Sequence, residues 1–263
     1  MRIPSHQEGL LAALPRPSID PRRYAEVDML RGIALIMMVI FHTAFDLRFL
    51  GIVPLEVGSG PWRMLAWSTG GLFLFLVGVS LSLSAARNTL GAGKPDYGKF
   101  TRRGVRIFAY GLVITATTAL IIPQGTILFG ILHCIGLSII IAPLFFRFGR
   151  YNLLIAGAVI VLGWLIAPLN GPWWLLWSGI HPAGWTTLDY YPLLPWFGLV
   201  LAGYAAGTVC YPGGKRRPGI PAPDGSRWKG LVFLGQYSLP IYFVHQPVIL
   251  GILVAAMAIA GCS

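Results

Sequence analysis

Asp28, Arg31, His42 and Asp46 lie in one apolar stretch near the start of the chain. Ionisable groups in a lipid-facing helix are costly, so each needs a reason to be there. On a helical wheel with Arg31 at zero, His42 falls near ~20°, and Asp28 and Asp46 both fall near ~60°. The four share one narrow face, which must look into a helix bundle or a wet cavity. By helical rise His42 stands about 16 Å beyond Arg31, just past mid-membrane if Arg31 marks the inner interface. His42 and Asp46 are one turn apart. A carboxylate in that position can hold an imidazole in one tautomer and stabilise its protonated form. That arrangement suits a general base taking a proton from a hydroxyl or amine. The competing reading is a His–Asp pair that only satisfies itself.

Ser238, Tyr242 and His245 recur at i, i+4 and i+7 and so share a helix face. Pro240 and Pro247 lie in the same segment and should break local hydrogen bonds, as in a kinked helix lining a cavity. His133 falls a few residues below the outer end of another apolar run, where a helix-contact role is at least as natural as a ligand role. His181 falls in a loop and reads as a surface residue. Lys99, Arg102, Arg103 and Arg106 open a further apolar run. Arginine forks match phosphate oxygens, although topology and lipid anchoring explain the same charges.

These residues need elements to hold them, and the composition restricts what those elements are. Of 263 residues, 56% are hydrophobic and 11% charged, and the mean hydropathy is +0.70. Soluble domains carry roughly 25% charged residues, so a soluble fold is excluded. Apolar runs of spanning length fall near 27–50, 62–86, 104–122, 127–146, 152–169, 192–210 and 231–260. The predicted fold is an all-α polytopic membrane helix bundle of about seven transmembrane helices. Residues 1–26 form a cytoplasmic N-terminal segment, and 27–263 a single transmembrane domain. The first 26 residues hold Glu8, Asp20, Arg22 and Arg23 without a clean apolar core, so no cleavable signal is expected.

With the N-terminus inside, 18 of the 20 Lys and Arg fall on the cytoplasmic side: Arg2, Arg16, Arg22, Arg23, Arg31, Arg87, Lys94, Lys99, Arg102, Arg103, Arg106, Arg147, Arg150, Lys215, Arg216, Arg217, Arg227 and Lys229. Arg48 and Arg63 fall outside. This asymmetry predicts a cytoplasmic N-terminus, and it accounts for the net charge of +11 without nucleic acid. The loop with Trp173, Trp174, Trp177, Trp185, Tyr190 and Tyr191 should rest on the outer surface as an aromatic belt. Cys134, Cys210 and Cys262 are scattered without metal-ligand spacing, so no metal is expected.

The stretches EVDMLRGIALIMMVIFHTAFDL (Glu26–Leu47), DYYPLLPWFGLVLAGYAAG (Asp189–Gly207) and LGQYSLPIYFVHQPV (Leu234–Val248) resemble the heparan-alpha-glucosaminide N-acetyltransferase catalytic-domain family in its short prokaryotic branch. There is a wider resemblance to membrane O-acyltransferases of surface glycans. It rests on an Arg, ten residues, then His in the first helix (Arg31, His42), an Arg-x-x-Arg at a basic helix start (Arg103, Arg106), and a late Tyr…His-x-Pro (Tyr242, His245, Pro247). The resemblance implies acetyl-CoA or another acyl-CoA as co-substrate on the cytoplasmic side and a sugar or glycan acceptor outside. It also implies His42 as base with Asp46 as its orienter. CoA contacts would come from Arg31, Arg102, Arg103 and Arg106, and acceptor contacts from His133, Asp189, Ser238, Tyr242 and His245. The lysosomal heparan enzyme has a non-histidine residue at the position of His42. Its own proposed histidine follows the first helix, in a loop that here (Gly51–Pro61) holds none. The acceptor is therefore expected to differ from heparan.

The expected function is a membrane-embedded acyltransferase in a prokaryotic plasma membrane, in contact with lipids, and by resemblance a homodimer. The alternative from another class is a proton-coupled transporter using the His42/Asp46 face as a relay. No internal repeat of the kind transporters often show is visible. A non-catalytic scaffold would leave the clustered His and Asp unexplained.

Overall fold

The computed structural model describes residues 23–92 and 96–260. Glu8, Asp20, Arg2, Arg16, Arg22, Lys94 and Cys262 of the sequence reading lie outside the described residues. The described chain is helical, and among the described residues the only extended pairing is an isolated bridge between Asn170 and His181. The α-helices are α1 (Ala25–Phe49), α2 (Gly60–Ala92), α3 (Tyr97–Ile121), α4 (Ile131–Ile141), α5 (Asn152–Ile166), α6 (Leu193–Cys210), α7 (Lys229–Gln236) and α8 (Ser238–Ile259). Six segments are long and apolar enough to cross a membrane: Ala25–Phe49, Gly60–Arg87, Tyr97–Ile121, Ile131–Ile166, Leu193–Cys210 and Ser238–Ile259. Ile131–Ile166 is interrupted. A 3-10 stretch, Ala142–Tyr151, contains Gly149 at φ 50, ψ −122, outside the helical region. Asn152 closes this break by donating to the carbonyls of Phe145 (2.9 Å) and Gly149 (3.0 Å). The break divides the segment into two arms and accommodates the expected count of seven.

The chain clusters into two compact units, Met1–Ile52 with Ala222–Ser263, and Val53–Pro221. In the first unit α1 lies against α7 with almost no intervening side chain. A Cβ on Gly235 would meet the Asp28 carbonyl carbon at 2.6 Å, and one on Gly32 would meet the Leu231 α-carbon at 3.2 Å. The buried stripe of α1 is Val27, Asp28, Gly32, Ala34, Leu35, Met38, Ala44 and Asp46, while Leu30, Ile33, Ile36 and Ile40 stay exposed. Exposed apolar residues are what a lipid-facing side requires. The single helix expected over 231–260 is corrected to two, α7 and α8, divided at Tyr237 (φ −101, ψ 18). The cause is Pro240. It lacks an N–H, and its ring collides with the carbonyl four residues back in a continuous helix, yet it is tolerated in a first turn. Pro247 lies inside α8, which runs on past it.

The second unit is built on glycine contacts. α3 and α4 run antiparallel: a Cβ on Gly104 would lie 2.6 Å from the Gly136 carbonyl, and one on Gly111 would lie 2.9 Å from the His133 ring. α2 and α6 run parallel, with Gly78 against Val200 and Tyr204, and Gly207 against Ser82. The core between them includes Leu74, Leu81, Phe100, Ile139, Phe197, Val200 and Leu201. Within this unit Arg87, Lys99, Arg102, Arg103, Arg106, Arg147, Arg150, Lys215, Arg216 and Arg217 gather at the end where α2, α6 and the Ala142–Tyr151 stretch finish and α3 begins. The opposite end carries the Pro123–Gly130 turn and the aromatic loop from 167 to 192.

Candidate active site

In the first unit α1 and α8 bring His42, Asp46, Tyr242, His245 and Gln246 together. The His42 and His245 rings meet edge to face, with centroids 4.8 Å apart. His42 Nδ1 lies 2.9 Å from the Met38 carbonyl, and His245 Nδ1 lies 2.6 Å from the Tyr242 carbonyl. A carbonyl only accepts, so each neutral ring carries its proton on Nδ1 and keeps its Nε2 lone pair. His245 is buried and its Nε2 has no partner among the described residues, whereas His42 is half-buried. Of the two, His42 is the ring with access. Tyr242 packs beside His245 at 5.6 Å between centroids. Ser238 is the first residue of α8 and half-buried.

The direct His42–Asp46 bond anticipated from the one-turn spacing is not made. The imidazole takes the carbonyl of its own preceding turn, and Asp46 Oδ1 accepts instead from Gln246 Nε2 at 2.7 Å. Asp46 is fully buried, and its Oδ2 and the Gln246 Oε1 have no hydrogen-bond partner among the described residues. Buried polar atoms are normally satisfied, so three such atoms on Asp46, His245 and Gln246 mark a place equipped to receive a polar group. Gln246 was missed by the sequence reading. Its one signal is adjacency to His245, because its partner is 200 residues away.

Arg31 is held by Asp28, with Nη1 2.6 Å from Oδ1, and Arg23 Nε approaches the other carboxylate oxygen at 3.7 Å. Asp28 is buried, and a buried charge persists only when paired.

The remaining expected site residues belong to the second unit. Arg102, Arg103 and Arg106 are exposed near the start of α3 and have no carboxylate partner among the described residues. Unpaired guanidinium forks of this kind fit phosphates, the groups by which a coenzyme A would be held. His133 is fully buried, stacked on Phe129 and edge to face with Phe108. The Gly130 N–H donates to its Nδ1 at 3.2 Å, and Thr115 Oγ1 lies 3.4 Å from its Nε2. The Thr115 hydroxyl gives its proton to the Ile127 carbonyl at 2.6 Å, so it accepts from His133 Nε2–H. Both ring nitrogens are therefore engaged in closing the N-terminus of α4, which leaves neither for a ligand. Asp189 caps the same helix from 58 residues away, with Oδ2 accepting from the Ile131 N–H at 2.9 Å. Burial pushes its carboxyl up to about 6, against the lowering effect of that bond. Within the second unit the basic residues and the α4 cap thus lie at opposite ends, while the α1–α8 cluster belongs to the first unit. No group of three His, Cys, Asp or Glu gathers as a metal site among the described residues.

The described residues are thus helical, with segments able to cross a membrane and, on α1, an imidazole held in one tautomer beside buried polar groups. The family model described as heparan-alpha-glucosaminide N-acetyltransferase, catalytic, matches residues 23–247. This chain belongs to that family of membrane acetyltransferases. No curated protein and no solved structure matches it.

Proposed function

We propose that the protein transfers an acetyl group from acetyl-CoA to an amine or hydroxyl of a sugar or glycan acceptor. The observation that supports this reading most is the fixed tautomer of His42 inside a chain of this family. The acceptor N–H or O–H attacks the thioester carbonyl carbon, and the carbon–sulfur bond breaks as the new bond forms. The acceptor proton passes to His42 Nε2 and then to the departing thiolate. General base catalysis of this kind is worth about 10²–10⁴-fold, and positioning supplies much of the rest. Asp46, held by Gln246, lies one turn further along the same helix and ties α1 to α8 beside His42. Arg102, Arg103 and Arg106 of the second unit contact the CoA phosphates.

The same reading takes the basic end of the second unit as cytoplasmic and the aromatic loop as external. It places the protein in a prokaryotic plasma membrane among lipids, as a homodimer. The two departures from the heparan enzyme, a histidine at position 42 and none in the loop Gly51–Pro61, support an acceptor other than heparan.

The test is acetyl-CoA binding to the purified protein, followed by thermal shift. A ligand that binds only the folded state raises the melting temperature. Wild-type protein should be stabilised, and Arg103→Ala and Arg106→Ala should need at least tenfold more ligand for the same shift. Silence at millimolar acetyl-CoA and with longer acyl-CoAs would overturn the donor assignment.

A further inference from the structure

A groove of about 560 Å³ opens at the end of the second unit away from the basic residues. Its walls come from the turn after α3 (Pro123, Gln124, Thr126) and the loop before α6 (Trp173, Trp185, Thr186). The six aromatics of that loop, expected together as a membrane belt, divide into two sets. Trp173, Trp174 and Trp177 are exposed. Trp185, Tyr190 and Tyr191 are drawn inward and fixed.

Trp185 is held on three sides. Its ring meets Trp173 at 5.9 Å and Tyr190 at 5.1 Å, both nearly perpendicular, and His181 at 5.8 Å. Tyr190 is anchored in turn by its hydroxyl, which donates to the Leu176 carbonyl at 2.8 Å. A tight turn, with the Trp185 N–H donating to the Pro182 carbonyl at 3.3 Å, presents the indole. Gly184 occupies the turn's third position at φ +71, which a side chain rarely adopts. Thr187 ties this loop to the opposite wall by donating to the Thr126 carbonyl at 2.8 Å.

The geometry points to a binding site for an uncharged saccharide in this groove. The volume is in the ordinary range for small-ligand sites, which pair aromatic walls with a few polar groups. The negative face of an indole attracts the weakly positive C–H face of a pyranose; Gln124 and Thr186 supply an amide and a hydroxyl, and Thr126 Oγ1, which gives its proton to the Pro123 carbonyl at 2.8 Å, can still accept. None of the lining residues is ionisable, so a sulfated or phosphorylated glycan would find no counter-charge here. A membrane belt explains exposed tryptophans but needs neither a concavity nor polar residues among its walls. As an acceptor site the groove rests on the acyltransfer reading; as a saccharide site it stands without it.

The experiment uses full-length protein in nanodiscs free of glycoside detergents, which would compete. Saturation-transfer NMR is recorded with maltotetraose, cellotetraose, chitotetraose and a heparin tetrasaccharide, and a second arm places a neutral diglycosyl lipid in the nanodisc and follows tryptophan fluorescence. At least one neutral saccharide, free or lipid-linked, should bind, and Trp173→Ala and Gln124→Ala should each weaken it at least fivefold. The heparin fragment should not bind in the groove. Acetyl-CoA thermal shift on the same samples reports folding and the donor side separately, and should be unchanged in both variants. The inference is overturned if no neutral saccharide binds in either arm, if binding ignores both substitutions, or if the charged fragment binds more tightly through the same residues.

Discussion

Gln246 donates from Nε2 to Asp46 Oδ1 at 2.7 Å, joining the last described helix to the first across 200 residues. The bond removes Asp46 from the role of direct imidazole partner and makes Gln246 the holder of the buried carboxylate. His42 and His245 are each oriented by a main-chain carbonyl of their own helix.

Gln246→Leu should therefore leave Asp46 buried without its donor. A stranded buried acceptor costs about 1–3 kcal/mol, more if charged. Asp46→Asn in the same background should recover part of that loss, since an amide is cheaper to strand than a carboxylate. Thermal unfolding of the three proteins in one detergent measures this. Equal melting temperatures for wild type and Gln246→Leu would refute the bond's importance.

Asp189 makes a pH prediction of definite sign. Its carboxyl is raised in the fold to about 6, from an ordinary value of 3.8. A raised carboxyl favours the fold below its unfolded value, and this contribution is lost as pH rises through about 6. Between roughly pH 4 and 7 wild type should lose on the order of 2 kcal/mol relative to Asp189→Asn, discounted for partial solvent access. Melting temperatures of both proteins across that range decide it; a constant difference would contradict the burial of this cap.

Two glycines give opposite expectations. A Cβ on Gly203 would drive into the Phe75 main chain, with its α-carbon 3.0 Å away, whereas Gly157 has nothing within 4 Å. Gly203→Ala should destabilise the second unit by more than about 2 kcal/mol by forcing α2 from α6. Gly157→Ala, in an exposed helix position, should gain about 0.5–1 kcal/mol. Chemical denaturation compares them, and similar effects would be evidence against the close α2–α6 approach.

The parts of this molecule that were legible in its sequence follow from local spacing. The buried face of α1 could be read because Asp28, Arg31, His42 and Asp46 repeat at helical intervals in an otherwise apolar run. The break near Gly149 was anticipated as the gap between two runs. Partnerships between distant segments were not legible. Nothing in the local pattern pairs Gln246 with Asp46 or aims Asp189 at the Ile131 N–H. For His133 a helix-contact role was at least as natural as a ligand role, and the contact that occupies its Nε2, Thr115, forms only where α4 packs against α3. In the sequence Trp185 reads no differently from the exposed Trp174 and Trp177; the contacts with Tyr190, His181 and Trp173 set it apart.

The most direct test of the acyltransfer account is the rate of transfer from radiolabelled acetyl-CoA to a panel of amino sugars and neutral glycans, in proteoliposomes carrying wild type or His42→Gln. The account predicts transfer by wild type and a loss of about 10²–10⁴-fold in His42→Gln, with acetyl-CoA binding retained. Transfer at the wild-type rate by His42→Gln would contradict it.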